Sequence, residues 1–115
     1  MLRKENRLRK NRDFQNIQKS GRYYNGGFVG IKVYESDRDT ARIGIIAANK
    51  IFNNAPERNK ARRRVREILR ARVGRIEKGQ DIVIILKSGI NAKSFIELSA
   101  AIDSLLKRAN LFPAN

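Results

Sequence analysis

The sequence has 115 residues, enough for one domain, which we predict to span residues 1–115. Its 26 Lys and Arg against 11 Asp and Glu give a formal net charge of +15. The absence of cysteine excludes disulfides and thiolate metal sites, and the absence of histidine removes the commonest general base. A hydrophobic content of 41% supports one modest core, so the composition indicates a folded cytoplasmic protein with a polyanionic partner.

The chain begins with a basic segment, and residues 1–22 carry a net charge of +6. We predict that residues 1–10 form a flexible arm and that Asn11 caps a helix from Arg12 to Lys19, ended by Gly21. Within this helix Phe14 and Ile17 lie one turn apart. The basic residues of the segment that we expect to contact the partner are Arg7, Arg9, Lys10 and Arg12.

Strands are predicted next, because apolar and polar residues alternate on both sides of an Asn-Gly-Gly turn at residues 25–27. From Phe28 the alternation places one set of side chains on each face of the sheet. The first face receives Phe28, Gly30, Lys32 and Tyr34, and the other face receives Val29, Ile31 and Val33. A polar loop over residues 35–40 leads into a further strand over residues 42–48.

The second basic block coincides with the clearest helix. Asn54 is predicted to be its N-cap, with Glu57 three residues later and Pro56 tolerated in the first turn, and Gly79 ends the element. Residues 58–75 carry nine basic side chains against one acid, a net charge of +8. The inward stripe is predicted to be Ala61, Val65, Ile68, Leu69, Val73 and Ile76.

After this helix, the apolar run from Asp81 to Leu86 predicts a strand covered on both faces. Ser94 and Glu97 form a capping box that opens a last helix. Its inward side chains are predicted to be Phe95, Leu98, Ile102, Leu105 and Leu106. The resulting order of helices and strands indicates the α+β class.

The basic helix indicates nucleic-acid binding. Like charges four residues apart, such as Arg58 and Arg62 or Arg66 and Arg70, repel one another, and a phosphate backbone along the helix would turn this repulsion into attraction. Arginine outnumbers lysine eight to one in the block, which favours forked contacts to phosphate oxygens.

RNA is favoured over DNA, because neither a helix-turn-helix nor a zinc motif is present and aromatic residues lie between the two basic blocks. These aromatic side chains either pack in the core or stack on unpaired bases. They are Phe14, Tyr23, Tyr24, Phe28 and Tyr34.

Catalysis by the protein itself is not predicted. Histidine, cysteine, paired carboxylates at metal spacing and a phosphate-binding glycine loop are all missing, so we expect no catalytic and no metal-binding residue. Asp13, Glu67 and Asp81 are assigned to ion pairing or capping.

Several segments together resemble the protein subunit of bacterial ribonuclease P. These are Asn6-Arg7-Leu8 with Asp13-Phe14-Gln15, Arg42-Ile43-Gly44, Asn49-Lys50, and Arg58-Asn59-Lys60 followed by Arg62-Arg63-Arg64. The last of them is similar to the Arg-Asn-Arg start of that family's basic helix. The resemblance covers nearly the whole chain.

The resemblance implies an α-β-β-β-α-β-α fold, with a mostly antiparallel sheet, three helices and a left-handed β-α-β crossover. It also implies a role beside a catalytic RNA that removes the 5′ leader of precursor tRNA, with magnesium held through the RNA and no cofactor on the protein alone. The implied contacts to that RNA are Lys50, Arg58, Asn59, Lys60, Arg62, Arg63, Arg66 and Arg70. The implied cleft for the leader consists of Phe14, Gln18, Val29 and Ile31.

The chain departs from the family pattern at Lys60, where the family has arginine, and at Gln18 and Ile31, where it has aromatic residues. Two alternatives to this function stay open. A ribosomal protein or general RNA chaperone would bind RNA without aiding tRNA maturation, and a stand-alone nuclease would cleave without any RNA subunit.

Overall fold

Three α-helices and four β-strands make up the part of the chain that a computed structural model describes, residues 3–112. They are α1 (Asn11–Ser20), β1 (Arg22–Asn25), β2 (Val29–Glu35), β3 (Arg42–Ile46), α2 (Ala55–Arg70), β4 (Gln80–Leu86) and α3 (Phe95–Arg108). The predicted order is confirmed, and residues 1–2 of the predicted arm, like residues 113–115, lie outside the described range. Within it, no helix is long and apolar enough to cross a membrane.

The four strands form one mixed sheet in the order β1-β2-β4-β3. Strand β2 pairs antiparallel with both β1 and β4, whereas β3 runs parallel to β4. Parallel neighbours need a crossover connection, and α2 provides it between β3 and β4. The predicted α+β class, with a mostly antiparallel sheet and three helices, is confirmed.

Helices α2 and α3 cover one face of the sheet and share the main hydrophobic core with it. Ile82 and Ile84 of β4, Val65 of α2 and Ile102 of α3 are all fully buried there. The helices cover the apolar run of β4 along its length on this face; on the opposite face Val83 is buried but Ile85 is only partly buried, so the predicted strand covered on both faces is confirmed only in part.

Helix α1 covers part of the opposite face, where Leu8, Ile17 and Val83 form a second, smaller core. Farther along the same face Ile46 and Ile85 stay partly exposed. One face of the sheet is therefore closed by two helices, and the other is only half closed by one.

The N-cap of α1 differs from the prediction. Lys10, in an extended conformation, precedes the helix, and its carbonyl accepts hydrogen bonds from the N–H groups of Asp13 and Phe14. Asn11 is the first helical residue, and the N-cap side chain makes no capping hydrogen bond.

Helix α2 ends at Arg70, earlier than the predicted stop at Gly79. Val73 and Ile76 still pack on the main core, but from a 3₁₀ turn and the residue after it. The side chain of Arg72 donates to the carbonyl of Ile68 at 2.9 Å, so it satisfies one of the free carbonyls at the helix end.

The last helix begins with the predicted capping box, in which Ser94 and Glu97 exchange both hydrogen bonds at 3.0 and 3.1 Å. The prediction that Phe95 points inward is wrong, since this side chain is 49% exposed. It occupies the first helical position, and helical side chains lean toward the N-terminus, away from the part of α3 that meets the sheet.

Candidate nucleic-acid interface

The buried side of α2 determines which of its basic residues face outward. Ala61, Val65 and Leu69 follow one another at four-residue spacing and are fully buried. With 3.6 residues per turn, side chains half a turn away from this row point away from the sheet. The outward side of α2 is therefore available to a partner.

A row of polar and basic residues occupies this outward side; it advances by three or four positions, about one turn, at each step, and Arg62 and Arg63 lie side by side in it. This row, which we call the α2 basic stripe, consists of Asn59, Arg62, Arg63, Arg66 and Arg70. Lys60 flanks it. Asn59, Lys60, Arg63 and Arg70 are exposed, whereas Arg62 and Arg66 are partly buried.

Like charges one turn apart repel within the α2 basic stripe, and Glu67 relieves only part of this repulsion. Arg70 Nη2 lies 2.5 Å from Glu67 Oε1, and this hydrogen bond lowers the pKa of Glu67. Both side chains are more than half exposed, at 53% and 57%, so the pair adds little stability. A polyanion along the stripe would remove the remaining repulsion.

The N-terminal end of α2 adds positive potential to the same surface. Asn54 Oδ1 accepts from the N–H of Glu57 at 2.9 Å, which confirms the predicted N-cap, and the helix dipole there favours an anion. Arg58 donates to Asn49 Oδ1 in the preceding 3₁₀ turn. Lys50 lies exposed in that turn, so the hydrogen bond couples it to the start of α2.

Three other arginines of the second basic block serve the fold. Arg64 donates to a backbone carbonyl after β4, Arg72 forms an ion pair with Asp103 of α3, and Arg75 lies 4.7 Å from the ring centroid of Phe112. A count of charges cannot separate these residues from those of the stripe. For Arg72 a signal exists, because it continues the helical spacing of the buried residues.

On the other side of the sheet, Phe14 of α1 lies directly over Gly44 of β3. A Cβ atom at residue 44 would come within 2.5 Å of Phe14 Cζ, so only glycine allows the ring this position. Gln18, one turn farther along α1, is exposed, and Lys32 Nζ donates to its carbonyl oxygen at 2.8 Å. Phe14 and Gln18 thus border the half-closed sheet face.

The other two residues predicted for the leader cleft do not lie there. Val29 and Ile31 are fully buried in the main core, beneath α2 and α3. The prediction that they line a cleft with Phe14 is wrong, because residues alternate between the two faces along a strand and those of β2 on the α1 face are Gly30, Lys32 and Tyr34. The structure therefore separates the predicted cleft into residues on opposite faces.

The basic segment before α1 is attached to β3, which differs from the prediction of a flexible arm. Leu8 is buried, and its N–H donates to the carbonyl of Ile43 at 3.0 Å. Arg7 forms a parallel bridge with Ile43, and the side chain of Asn6 donates to the carbonyl of Ala41 at 2.8 Å. Residues 6–8 therefore behave as a short added strand at the sheet edge.

This attachment leaves the cations of the segment on the surface. Arg9, Lys10 and Arg12 are exposed, whereas Arg7 is partly buried. A groove of about 410 Å³ is lined by Lys4, Glu5, Arg7, Arg9, Lys10, Asp13, Arg38 and Arg42. Both basic blocks thus meet the edge strand β3, the first along its side and the second beyond its carboxyl end.

Two of the acidic residues assigned to ion pairing share one buried arginine. Arg42 on β3 donates to both carboxylate oxygens of Asp81 at 2.9 and 2.6 Å and to Asp13 Oδ2 at 3.1 Å. The hydrogen bonds that Arg42 donates to Asp81 are the largest cause of a raised pKa for its guanidinium. Since Asp13 lies on α1 and Asp81 on β4, this arginine holds α1 in place on the sheet.

Comparison with known proteins gives one consistent result. The sequence model of the family described as Ribonuclease P matches residues 2–110. The ribonuclease P protein component of Syntrophomonas wolfei is 33% identical over 115 residues, which are 100% of this chain and 96% of the relative. The solved RNase P protein of Staphylococcus aureus superposes with a TM-score of 0.84 at 28% identity, over 94% of this chain and 98% of the other. That of Thermotoga maritima gives a TM-score of 0.80 at 35% identity, over 89% and 96%.

Proposed function

The chain belongs to the ribonuclease P protein family, and from this membership we propose that it binds the catalytic RNA of the ribonucleoprotein and the 5′ leader of precursor tRNA. In this role it assists the endonucleolytic removal of the leader in the cytoplasm. The RNA carries out the chemistry, and the protein positions RNA. The observation that carries this proposal is the α2 basic stripe, which lies on the side of α2 that points away from the sheet.

The α2 basic stripe suits the backbone of a folded RNA. Its arginines present planar forks that bind two phosphate oxygens at once, and Arg63, Arg66 and Arg70 follow a line along the helix at one-turn spacing. Lys50 and Arg58 extend the positive surface past the N-terminus of α2, where the free N–H groups also favour phosphate. We assign the catalytic RNA to this surface.

The half-closed sheet face suits a different partner, an RNA strand without a complement. Phe14 and the partly exposed Ile46 and Ile85 offer apolar contacts to bases, and Lys32 adds a cation. Unpaired bases can stack on such a surface, whereas paired bases cannot. We assign the 5′ leader to this face.

Magnesium is proposed to act in the holoenzyme through the RNA. Hard cations prefer several oxygen ligands, and the α2 basic stripe is flanked by one carboxylate, Glu67, which already pairs with Arg70. Asp13 and Asp81 are likewise engaged by Arg42. The protein side of the interface therefore does not fit magnesium, while RNA phosphates do.

The proposal is tested by adding the purified protein to a catalytic ribonuclease P RNA and measuring precursor-tRNA cleavage over a range of magnesium concentrations. We expect the protein to lower the magnesium concentration needed for cleavage. An active RNA that gains nothing from the protein would contradict the proposal and favour a general RNA chaperone. Cleavage by protein free of RNA would instead favour a nuclease.

A further inference from the structure

Tyr23 on the edge strand β1 is one of three large apolar side chains that stay well exposed in residues 3–112, at 43%. It pairs across the strands with Lys32, so both side chains point to the sheet face that α1 half closes. The other aromatic residues near it are covered, since Tyr24 and Phe28 pack on the main core and Tyr34 on the smaller one. Tyr23 thus differs from its neighbours in offering its ring to solvent.

Gly30 allows the Tyr23 ring to lie close to the sheet. A Cβ atom at residue 30 would come within 2.8 Å of Tyr23 Oη and 3.0 Å of Cε1, so any larger residue would displace the ring. The missing side chain on β2 lets the ring rest across the neighbouring strand. A ring held in this way loses little freedom when something stacks on it, which favours binding.

Lys87 fixes the hydroxyl end of the ring and leaves its face free. Its Nζ donates to Tyr23 Oη and, at 2.8 Å, to Asn25 Oδ1. The same Nζ lies 5.0 Å from the ring centroid, and its bond to Oη places the ammonium beyond the hydroxyl and not above the ring. An aromatic ring face beside a lysine is typical of surfaces that bind single-stranded nucleic acid.

A row of aligned residues runs from Asn25 and Gly30, next to which the Tyr23 hydroxyl lies, to the far edge of the sheet. Asn25 pairs with Gly30, Gly30 with Ile85, and Ile85 with Ile46, so the row crosses all four strands. Three strand spacings of roughly 4.8 Å make it about 14 Å long. Beyond Ile46 the chain runs into the turn that carries Lys50.

We propose that Tyr23 stacks on a base of a single-stranded RNA that crosses this row from the Lys50 side, and that Lys87 and Lys32 contact its phosphates. This inference rests on the proposed function, in which the RNA is the 5′ leader. Tyr23 then contacts the leader at the sheet edge most distant from Lys50. The chain thereby has an aromatic contact on β1 in addition to Phe14.

The test compares reconstituted holoenzymes that contain the wild-type protein, Tyr23→Ala, Tyr23→Phe or Phe95→Ala. Phe95 is the matched control, because its ring is equally exposed but belongs to α3 on the opposite sheet face. Dissociation constants are measured for one precursor tRNA with a long single-stranded leader and for the same tRNA with a one-nucleotide leader.

We expect Tyr23→Ala to weaken binding of the long-leader substrate about 5-fold or more and to leave the short-leader substrate unchanged. Tyr23→Phe and Phe95→Ala should bind both substrates like the wild type, because the ring carries the stacking. A single abasic site in the leader should reproduce the loss in the wild type and cause no further loss in Tyr23→Ala.

If the wild type prefers the long leader and Tyr23→Ala binds it equally well, the role of Tyr23 is overturned, while the proposed leader-binding function stands. A loss in Tyr23→Phe as large as in Tyr23→Ala would overturn stacking as its cause. A wild-type holoenzyme that does not discriminate between the leaders would overturn both this role and the proposed leader-binding function.

Discussion

Basic residues of the second block fall into two groups according to what their side chains contact. Arg64 and Arg72 donate to groups of the protein itself, whereas Arg63 and Lys60 are exposed on the outward side of α2. The sequence predicts the helix and its charge but not this division. A guanidinium can reach either outward or inward from a flank position, and only the tertiary partners decide the outcome.

Arg63→Ala tests the outward group. We expect weaker binding to the catalytic RNA and a decrease of about one in the slope of log affinity against log salt concentration, because one phosphate contact is lost. The measurement is a titration of RNA with protein at several salt concentrations. Lys78→Ala, an exposed cation in the turn before β4, is the control and should leave the slope unchanged. A slope equal to that of the wild type would place Arg63 outside the interface.

At the scale of elements, two arginines form ion pairs that fix helices which the hydrophobic pattern alone would leave loosely placed. Arg42 joins α1 to β3 and β4, and Arg72 joins the end of α2 to Asp103 of α3. The sequence predicts that Asp13 and Asp81 pair with cations, and this is confirmed. It could not identify Arg42 as their shared partner, because the three residues come from distant parts of the chain and meet only when β3 and β4 pair.

Arg42→Ala should destabilise the protein by about 3–5 kcal/mol, because it leaves two carboxylates poorly hydrated and without their cation. The side chains of Arg42, Asp13 and Asp81 are only 11%, 12% and 4% exposed. The free energy of unfolding is measured by urea denaturation, with Asp37→Asn, an exposed acid, as the control. A loss below about 1 kcal/mol would show that Arg42 does not hold α1 in place.

Asp103→Asn should change how stability depends on pH. The hydrogen bond from Arg72 lowers the pKa of Asp103 below its ordinary value of 3.8. A carboxyl whose pKa is lower in the folded state stabilises the fold above its unfolded pKa, and this contribution disappears as the pH falls through the folded pKa. Thermal unfolding should therefore show the wild type more stable than Asp103→Asn at pH 7, and the difference should vanish in strong acid. A difference that is independent of pH would contradict the ion pair.

At the scale of the whole molecule, a net charge of +15 is combined with a sheet whose two faces are covered unequally. Element order and the main core followed from apolar spacing, and Leu98, Ile102 and Leu105 lie where the spacing predicts. The leader cleft does not follow, because only the resemblance to the family assigns Val29 and Ile31 to it, and a shift of one residue along a strand exchanges the faces. The alternation along β2, by contrast, correctly predicts that Val29 and Ile31 lie on the face opposite Lys32 and Tyr34.

The net charge predicts a response to salt. Repulsion among the basic residues destabilises the compact state, and dissolved ions screen it, so the unfolding temperature of the free protein should rise by a few degrees between low and moderate sodium chloride. Sodium sulfate at equal ionic strength should raise it further if anions bind at α2. A temperature that falls with added salt would mean that attractive pairs outweigh the repulsion.

The inward direction of Arg64 and Arg72 also bears on what the sequence can tolerate. Cations that hold the fold together and cations that we propose to meet RNA are different residues, although both belong to one basic block. Substitutions at Arg63 or Arg66 can therefore neutralise part of the surface without removing the ion pairs of Arg42 and Arg72 that hold the fold. We expect such a variant to keep its fold while losing affinity for RNA.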